Sequence, residues 1–253
     1  MVSIVIPIYN SAPYLSDCLA SVRKQTLSDW EAIMIDDAST DESAQIAASY
    51  CEQDQRFRLL HQPHNMGQSA ARNRGLQQVK GEHLLFLDSD DRLSPDYIEQ
   101  MLSHIGDADL LQTGYKRVSL DGTITEEKCP SWHRRYVLTS PCMRLYRTTW
   151  LREKGILFEE GMIYEDVLFS ARIWKAKPKI RVHQYTGYFY LINPHSTTSE
   201  QHDTTRIFHE LRMLGLHPLQ FNALRIRLRA HFIKESFLFA FVFVKPELAE
   251  NSV

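Results

Sequence analysis

The chain has 253 residues, 43% of them hydrophobic and 24% charged, enough length to bury one large core and too balanced a composition for a disordered or fibrous protein. Its 29 Lys and Arg against 31 Asp and Glu leave a net charge of −2, which argues against whole-chain attraction to nucleic acid or anionic lipid. Cys18, Cys51, Cys129 and Cys142 stand too far apart for close metal-ligand spacing or a disulfide framework, so reduced thiols are expected.

The chain opens on the apolar run Val2-Ser3-Ile4-Val5-Ile6 with no basic leader or small-residue cleavage site, and a cytoplasmic location is the expectation. Residues 2–8, 31–35, 57–61 and 83–87 read as strands, and residues 12–24, 41–52, 68–79 and 95–104 as the helices between them. Ser39 and Glu42 have the spacing of a capping box, and Ser94 before Pro95 suits an N-cap and first helical position. Strand and helix alternating four times predict right-handed crossovers and a mainly parallel, Rossmann-like sheet. Residues 110–119 and 123–126 around Asp121-Gly122 predict a hairpin. Beyond it, residues 150–154 and 166–176 read as helices and 180–191 as strand material.

Ligands on such sheets bind at the carboxyl ends of strands, where Tyr9-Asn10, Asp36-Asp37 and Asp88-Ser89-Asp90 all fall. Asp88, Asp90 and Asp91 crowd like charge at a strand end, an arrangement that suits a hard cation, Mn²⁺ or Mg²⁺, held by one or two carboxylates and phosphate oxygens. A turn or a helix cap is the plainer explanation of acidic residues in that pattern. A carboxylate from Asp36 or Asp37 can accept the imino hydrogen of uracil, which cytosine lacks, and Tyr9 offers a ring for stacking the base. Residues 65–75 run from a loop holding Asn65 and Gly67 into a helix carrying Arg72, with small residues for close approach and backbone amides at the helix start. Glu165-Asp166 opens a late helix, where acids are often structural; removing a proton from an attacking hydroxyl is also work for a carboxylate, with Asp166 the first choice and Glu165 the second.

Taken in order, Val2-Ser-Ile-Val-Ile-Pro-Ile-Tyr-Asn10, Asp36-Asp-Ala-Ser-Thr-Asp41, Asn65-Met-Gly67 with Ala70-Ala-Arg-Asn73, Leu87-Asp-Ser-Asp-Asp91 and Glu165-Asp166 make the chain resemble glycosyltransferase family 2 over residues 2–199. The resemblance implies the α/β fold called GT-A and an inverting transfer of a sugar from a nucleoside-diphosphate donor, a UDP-sugar, to a hydroxyl of a growing bacterial surface glycan or glycolipid. It implies Pro7, Tyr9 and Asp37 around the nucleobase, with Asn10, Asp36, Asn65, Gly67 and Ser89 lining the same nucleotide-sugar site. Arg72 would lie near the nucleotide, Asp88 toward ribose and metal, Asp90 as principal metal ligand and Asp166 as base, while a looser late match brings His195 or Ser196 to the diphosphate or metal.

The division expected from this is a catalytic domain over residues 1–205, with a nucleotide-sugar-binding half to 107 and an acceptor-side half from 108, then a helical extension over 206–253. Residues 121–141 and those after 204 carry no family signature and are expected to determine substrate. Residues 206–235 hold six Lys or Arg against two acids and are followed by the apolar run 236–244, too short to span a bilayer as a helix. Packing on the body is the plainer expectation; peripheral contact with the inner face of the membrane is the sharper one. Two rival readings carry different tests. Leu84-Leu-Phe-Leu-Asp88-Ser-Asp90 is similar to the nucleophile motif of haloacid-dehalogenase-type phosphatases, but it sits at the fourth strand rather than the first and lacks a later Gly-Asp-Gly. A catalytically silent sugar-nucleotide-binding scaffold would share the fold, since fold alone does not establish activity.

Overall fold

The computed structural model describes residues 1–129, 140–162 and 165–193. In chain order these form β1 (Val2–Ile8), α1 (Ala12–Arg23), β2 (Trp30–Asp36), α2 (Ser43–Gln53), β3 (Phe57–His61), α3 (Gln68–Gln78), β4 (His83–Phe86), β5 (Arg92–Leu93) and α4 (Tyr97–Ile105). There follow β6 (Leu110–Gln112), β7 (Tyr115–Val118), β8 (Ile124–Lys128), β9 (Arg144–Arg147), α5 (Thr148–Glu153), α6 (Glu165–Lys175), β10 (Ile180–Val182) and β11 (Tyr188–Leu191).

Seven strands make the main sheet in the order β10-β6-β9-β4-β1-β2-β3. Parallel pairing joins β1 to β2 and β4, β2 to β3, and β6 to β10, whereas β9 runs antiparallel between β4 and β6. β1 and β2 are buried along their whole length, which is why both read as near-continuous apolar runs rather than as alternation. α3 lies against β1 so closely that a Cβ on Gly75 would fall 2.3 Å from Val5 Cγ1; its buried face is built from Ser69, Ala70, Ala71, Arg72, Asn73, Gly75 and Leu76, small residues around two polar ones. Phe86 packs edge-on against Tyr146, Phe158 and Phe169, and the last two stack at 3.9 Å. This aromatic block forms the core behind the end of β4.

A second sheet has the order β5-β11-β7-β8. β7 and β8 form the predicted hairpin, with Gly122 at φ +85° in its turn, a backbone conformation that glycine adopts without penalty. The predicted strand 110–119 is divided between the sheets: after β6 the Thr113 amide bonds to Met143 O and the Gly114 amide to Tyr185 O, and β7 then joins the second sheet. Residues 180–191 divide in the same way into β10 and β11. Hydrophobic period identifies a strand without identifying its partner, so neither crossing was legible.

Two predicted helix starts shift. α2 begins at Ser43, and Ser39 with Glu42 makes no capping box: Ser39 Oγ accepts from the Asn10 amide (3.1 Å), and Asp41 takes the amides of Ser43 (2.9 Å) and Ala12 (3.0 Å). α4 begins at Tyr97 rather than Pro95, with the Tyr97 amide bonded to Ser94 O and Ser94 Oγ turned to the Tyr185 hydroxyl. Ser39 and Ser94 thus serve neighbouring loops, while Asp41 divides its carboxylate between the start of α2 and the start of α1. Strands from both sides of residue 107 contribute to the main sheet; the boundary expected at 205, the segment 206–253 with its apolar run, and His195 lie outside the described residues. Among the described residues no helix is long and apolar enough to cross a membrane.

Candidate active site

The ends of β1, β2 and β3 lie side by side, with Ile8 in register with Asp36 and Asp36 with His61. Pro7 is buried within β1. Tyr9 follows the strand with 47% of its surface exposed, an uncovered ring suited to stacking a planar ligand. Asn10 takes a positive φ of +47°, which asparagine tolerates better than most residues, and its Oδ1 accepts the Thr40 amide at 2.8 Å, tying the loop after β1 to the loop after β2. Ala38 at φ +59° shows that the turn after the two aspartates is tight.

Both aspartates are buried and already bonded. Asp36 accepts the Ser39 amide (3.2 Å) and has His61 Nδ1 at 3.1 Å. Asp37 accepts Gln62 Nε2 and the Met66 amide on Oδ1 and the Gly67 amide on Oδ2, each at 2.7 Å. A carboxylate has about four acceptor positions, so Asp37 first of all ties the end of β2 to the loop before α3. Asn65 Oδ1 adds a 3.1 Å bond to the same Gly67 amide. Gly67 sits at φ +88° with nothing within 4 Å of an added Cβ, so conformation rather than space requires glycine there.

β4 delivers the acidic loop. Arg72 Nη2 (2.7 Å) and Gln68 Nε2 (3.2 Å) both donate to Asp88 Oδ1, leaving Oδ2 as the oxygen Asp88 can offer a ligand. From beneath, the Cys18 thiol donates to Asp88 O at 3.6 Å; burial and then the carboxylates of Asp91, Asp90 and Asp88 push that thiol well above its ordinary pKa, so it stays protonated. Ser89 Oγ donates to Ser11 Oγ at 2.9 Å. Burial first, and then neighbouring Asp88, raises the Asp90 carboxyl to about 6, while Asn193 Nδ2 reaches it at 3.4 Å. Asp91 is 1% exposed and accepts the Tyr188 hydroxyl (2.5 Å) and the Leu191 amide (2.8 Å).

Arg72 joins this loop to the second acidic pair. Its guanidinium is 2% exposed; Nη1 donates to Glu165 Oε1 at 2.8 Å while Nη2 holds Asp88. Burial opposes its charge, but the surrounding acids, Asp88 foremost, hold its pKa above the ordinary guanidinium value. The face of Phe158 lies 5.2 Å away, a favourable cation–π distance. Burial raises the Glu165 carboxyl and the adjacent Asp166 adds to this, with Arg72 pulling the other way. Asp166 is next on the same first turn of α6. Glu165 is thus engaged by Arg72.

Among the described residues no group of three or more His, Cys, Asp or Glu side chains forms a metal cage. A catalytic Mn²⁺ or Mg²⁺ does not require one, since one or two carboxylates with phosphate oxygens and water suffice. Asp90 fits that mode: burial and Asp88 disfavour its charge, and a cation is what would relieve the crowding. Asp88 Oδ2, which no described side chain occupies, is the other oxygen that could hold such a cation.

Several supporting residues had no individual role assigned from the sequence. Gln62 backs Asp37, Asn73 clamps the Phe158 backbone at 3.0 and 2.9 Å and Glu160 at 2.9 Å, and Asp91, Tyr188 and Asn193 bring β11 to the acidic loop. Asp91, as the last acid of its cluster, and Asn73, as the end of the Ala70-Ala-Arg-Asn73 motif, carried a signal; Gln62, Tyr188 and Asn193 are ordinary polar residues in sequences without a pattern.

The family model Glycosyl transferase family 2 matches residues 3–156. The uncharacterized glycosyltransferase EpsJ of Bacillus subtilis is 30% identical over 219 residues, which is 78% of this chain and 63% of EpsJ. The chain spans as little as 33% of another curated relative from the same organism. In structure it is similar to residues 1–349 of TarS from Staphylococcus aureus in complex with UDP-GlcNAc, with a TM-score of 0.75 at 24% identity over 91% of this chain and 73% of the other. It is also similar to a mannosyltransferase from Pyrobaculum calidifontis in complex with GDP-Man and Mn²⁺, with a TM-score of 0.64 at 15% identity over 93% and 76% of the two chains. These likenesses show the GT-A fold.

Proposed function

The chain belongs to glycosyltransferase family 2, and from that premise we propose that it moves a sugar from a UDP-sugar to a hydroxyl of a growing bacterial surface glycan, capsule or lipopolysaccharide, with inversion at the anomeric carbon. The observation that supports the reading is the buried Arg72 bridge, which ties Glu165 in the first turn of α6 to Asp88 at the end of β4, Asp166 being the next residue on that turn. In this reading donor and acceptor chemistry meet at that bridge.

Tyr9 stacks the base, and the acceptor position left on Asp37 takes its imino hydrogen. Asp90 and Asp88 would hold Mn²⁺ or Mg²⁺, which supplies charge neutralisation at the diphosphate. Asp166 removes the proton from the acceptor hydroxyl as its oxygen attacks the anomeric carbon from the face opposite the leaving diphosphate, and that direction of attack dictates inversion. Glu165 and Arg72 hold Asp166 in place without touching the reacting atoms. TarS is known here with UDP-GlcNAc and the mannosyltransferase with GDP-Man and Mn²⁺, so base choice is the first thing to test.

Calorimetry with UDP, GDP, CDP and ADP, each with and without Mn²⁺, should show metal-dependent preference for UDP. Tighter binding of GDP would overturn the donor assignment, and no binding of any of the four would overturn the site. Asp166→Asn should abolish transfer and leave UDP affinity near that of the native protein; an active variant removes Asp166 from the role of base.

A further inference from the structure

The loop from Asp88 to Asp91 leaves the main sheet at β4 and enters the second sheet at β5, so the acids it carries are only as well placed as the junction of the two sheets. That junction is short. β5 has two residues, pairing Leu93 with Tyr188 and Arg92 with Phe189 of β11. The next step in that register would oppose Asp91 to Tyr190, but here a side chain replaces the backbone ladder: Asp91 Oδ1 accepts the Leu191 amide at 2.8 Å and Oδ2 the Tyr188 hydroxyl at 2.5 Å. The Asp91 amide meanwhile closes the turn onto Asp88 O at 3.0 Å. On its other side β11 is held by β7, and the Ile192 amide bonds to Val118 O at 2.8 Å. Two residues past the Leu191 bond, Asn193 reaches Asp90.

We propose that Asp91 is a positioning residue, whose carboxylate, gripping β11 at Tyr188 and Leu191, sets the spacing between the acidic loop and the end of β11 and so aims Asp90 at the cation. The role rests on the proposed function, because it concerns the same metal position, but it assigns Asp91 no contact with substrate or metal. With Asp91 and Tyr188 1% and 0% exposed, water does not compete for the bond between their side chains. A buried hydrogen bond to a carboxylate is stronger and more directional than an exposed one. Outer groups that orient metal ligands are worth roughly 10- to 100-fold in metal affinity when removed.

The test is titration of Mn²⁺ into the full chain saturated with UDP, for the native protein, Asp91→Asn, Asp91→Ala and Tyr188→Phe, well below each melting temperature. Asp91→Ala and Tyr188→Phe should weaken Mn²⁺ by roughly 10- to 100-fold and leave UDP binding without metal unchanged. Asp91→Asn should recover most of the loss, since its amide oxygen still accepts the Leu191 N–H and its amide nitrogen donates to the Tyr188 hydroxyl oxygen. Amide exchange at Leu191 should quicken in Asp91→Ala and remain slow in Asp91→Asn. A residue serving stability alone would lower the melting temperature and leave Mn²⁺ affinity of the folded variants at the native value, which would overturn the proposal. If Asp91→Ala does not fold, Tyr188→Phe decides, because it keeps the ring and removes only the hydroxyl. Failure of the native protein to bind Mn²⁺ with UDP would overturn the functional reading and this proposal with it, a result distinct from native binding with unaffected variants.

Discussion

Replacing Arg72 by Met keeps the length and apolar stem of the side chain and removes the guanidinium, leaving Glu165 and Asp88, 13% and 23% exposed, without their counter-charge. Breaking a buried ion pair from one side costs about 3–5 kcal/mol, and residual exposure of both carboxylates places the expected loss at the lower end, about 3 kcal/mol. For a domain of this size that lowers the melting temperature by roughly 6–12 °C. Urea denaturation at pH 7 of Arg72→Met, Glu165→Gln and the double variant measures it. The double variant should be more stable than Arg72→Met alone, because the amide at 165 needs no counter-charge. The deficit of Arg72→Met should also shrink on acidification: a carboxyl with raised folded pKa destabilises as pH rises through that value, so protonating Glu165 relieves the strain. Arg72→Lys should fall between, since one ammonium does not reproduce a fork divided between two carboxylates. A loss below about 1 kcal/mol, or a double variant that simply adds the two single losses, would refute the bridge as a source of stability.

Gly75→Ala pushes a methyl into Val5 and should cost about 1–3 kcal/mol by overpacking, a loss that Val5→Ala relieves; Gly67→Ala meets open space but keeps φ +88° with ψ 162°, a region nearly restricted to glycine, and should cost about 1–3 kcal/mol that Val5→Ala leaves untouched. Urea midpoints of the three single and two double variants check this, and rescue of both glycine variants by Val5→Ala would sink the distinction. Burial lowers the His83 pKa below its ordinary value, so its contribution to stability is present above the unfolded value and is lost as pH falls through the folded one. Melting temperature should therefore drop less between pH 7.5 and pH 5 in His83→Gln than in the native protein, and equal drops would show that His83 is no part of the acid sensitivity.

The first four strands and the helices between them were legible because each carries its own period: β1 and β2 are nearly continuous apolar runs, α1 to α3 each link one of the four strands to the next, and the topology rule puts Tyr9, Asp37 and Asp88 at one edge. The second half was not, since β6, β7, β10 and β11 are three or four residues long and their assignment to two sheets depends on which neighbour completes their hydrogen bonds. β9, antiparallel between β4 and β6, has no local mark at all.

The site divides in the same way. Residue type alone marked Asp36, Asp37, Asp88, Asp90, Arg72, Glu165 and Asp166, because carboxylates crowded at strand ends and an arginine on a small-residue helix are chemically conspicuous. What each one does was decided by tertiary contacts: Asp37 is engaged by Gln62, Met66 and Gly67, Glu165 by Arg72, and Asp91 by Tyr188 and Leu191. The chain by itself determines where charge is placed along it. Only the fold decides which charges meet, because burial and partner geometry, neither of them local in sequence, set whether a carboxylate is a ligand, a base or a clamp.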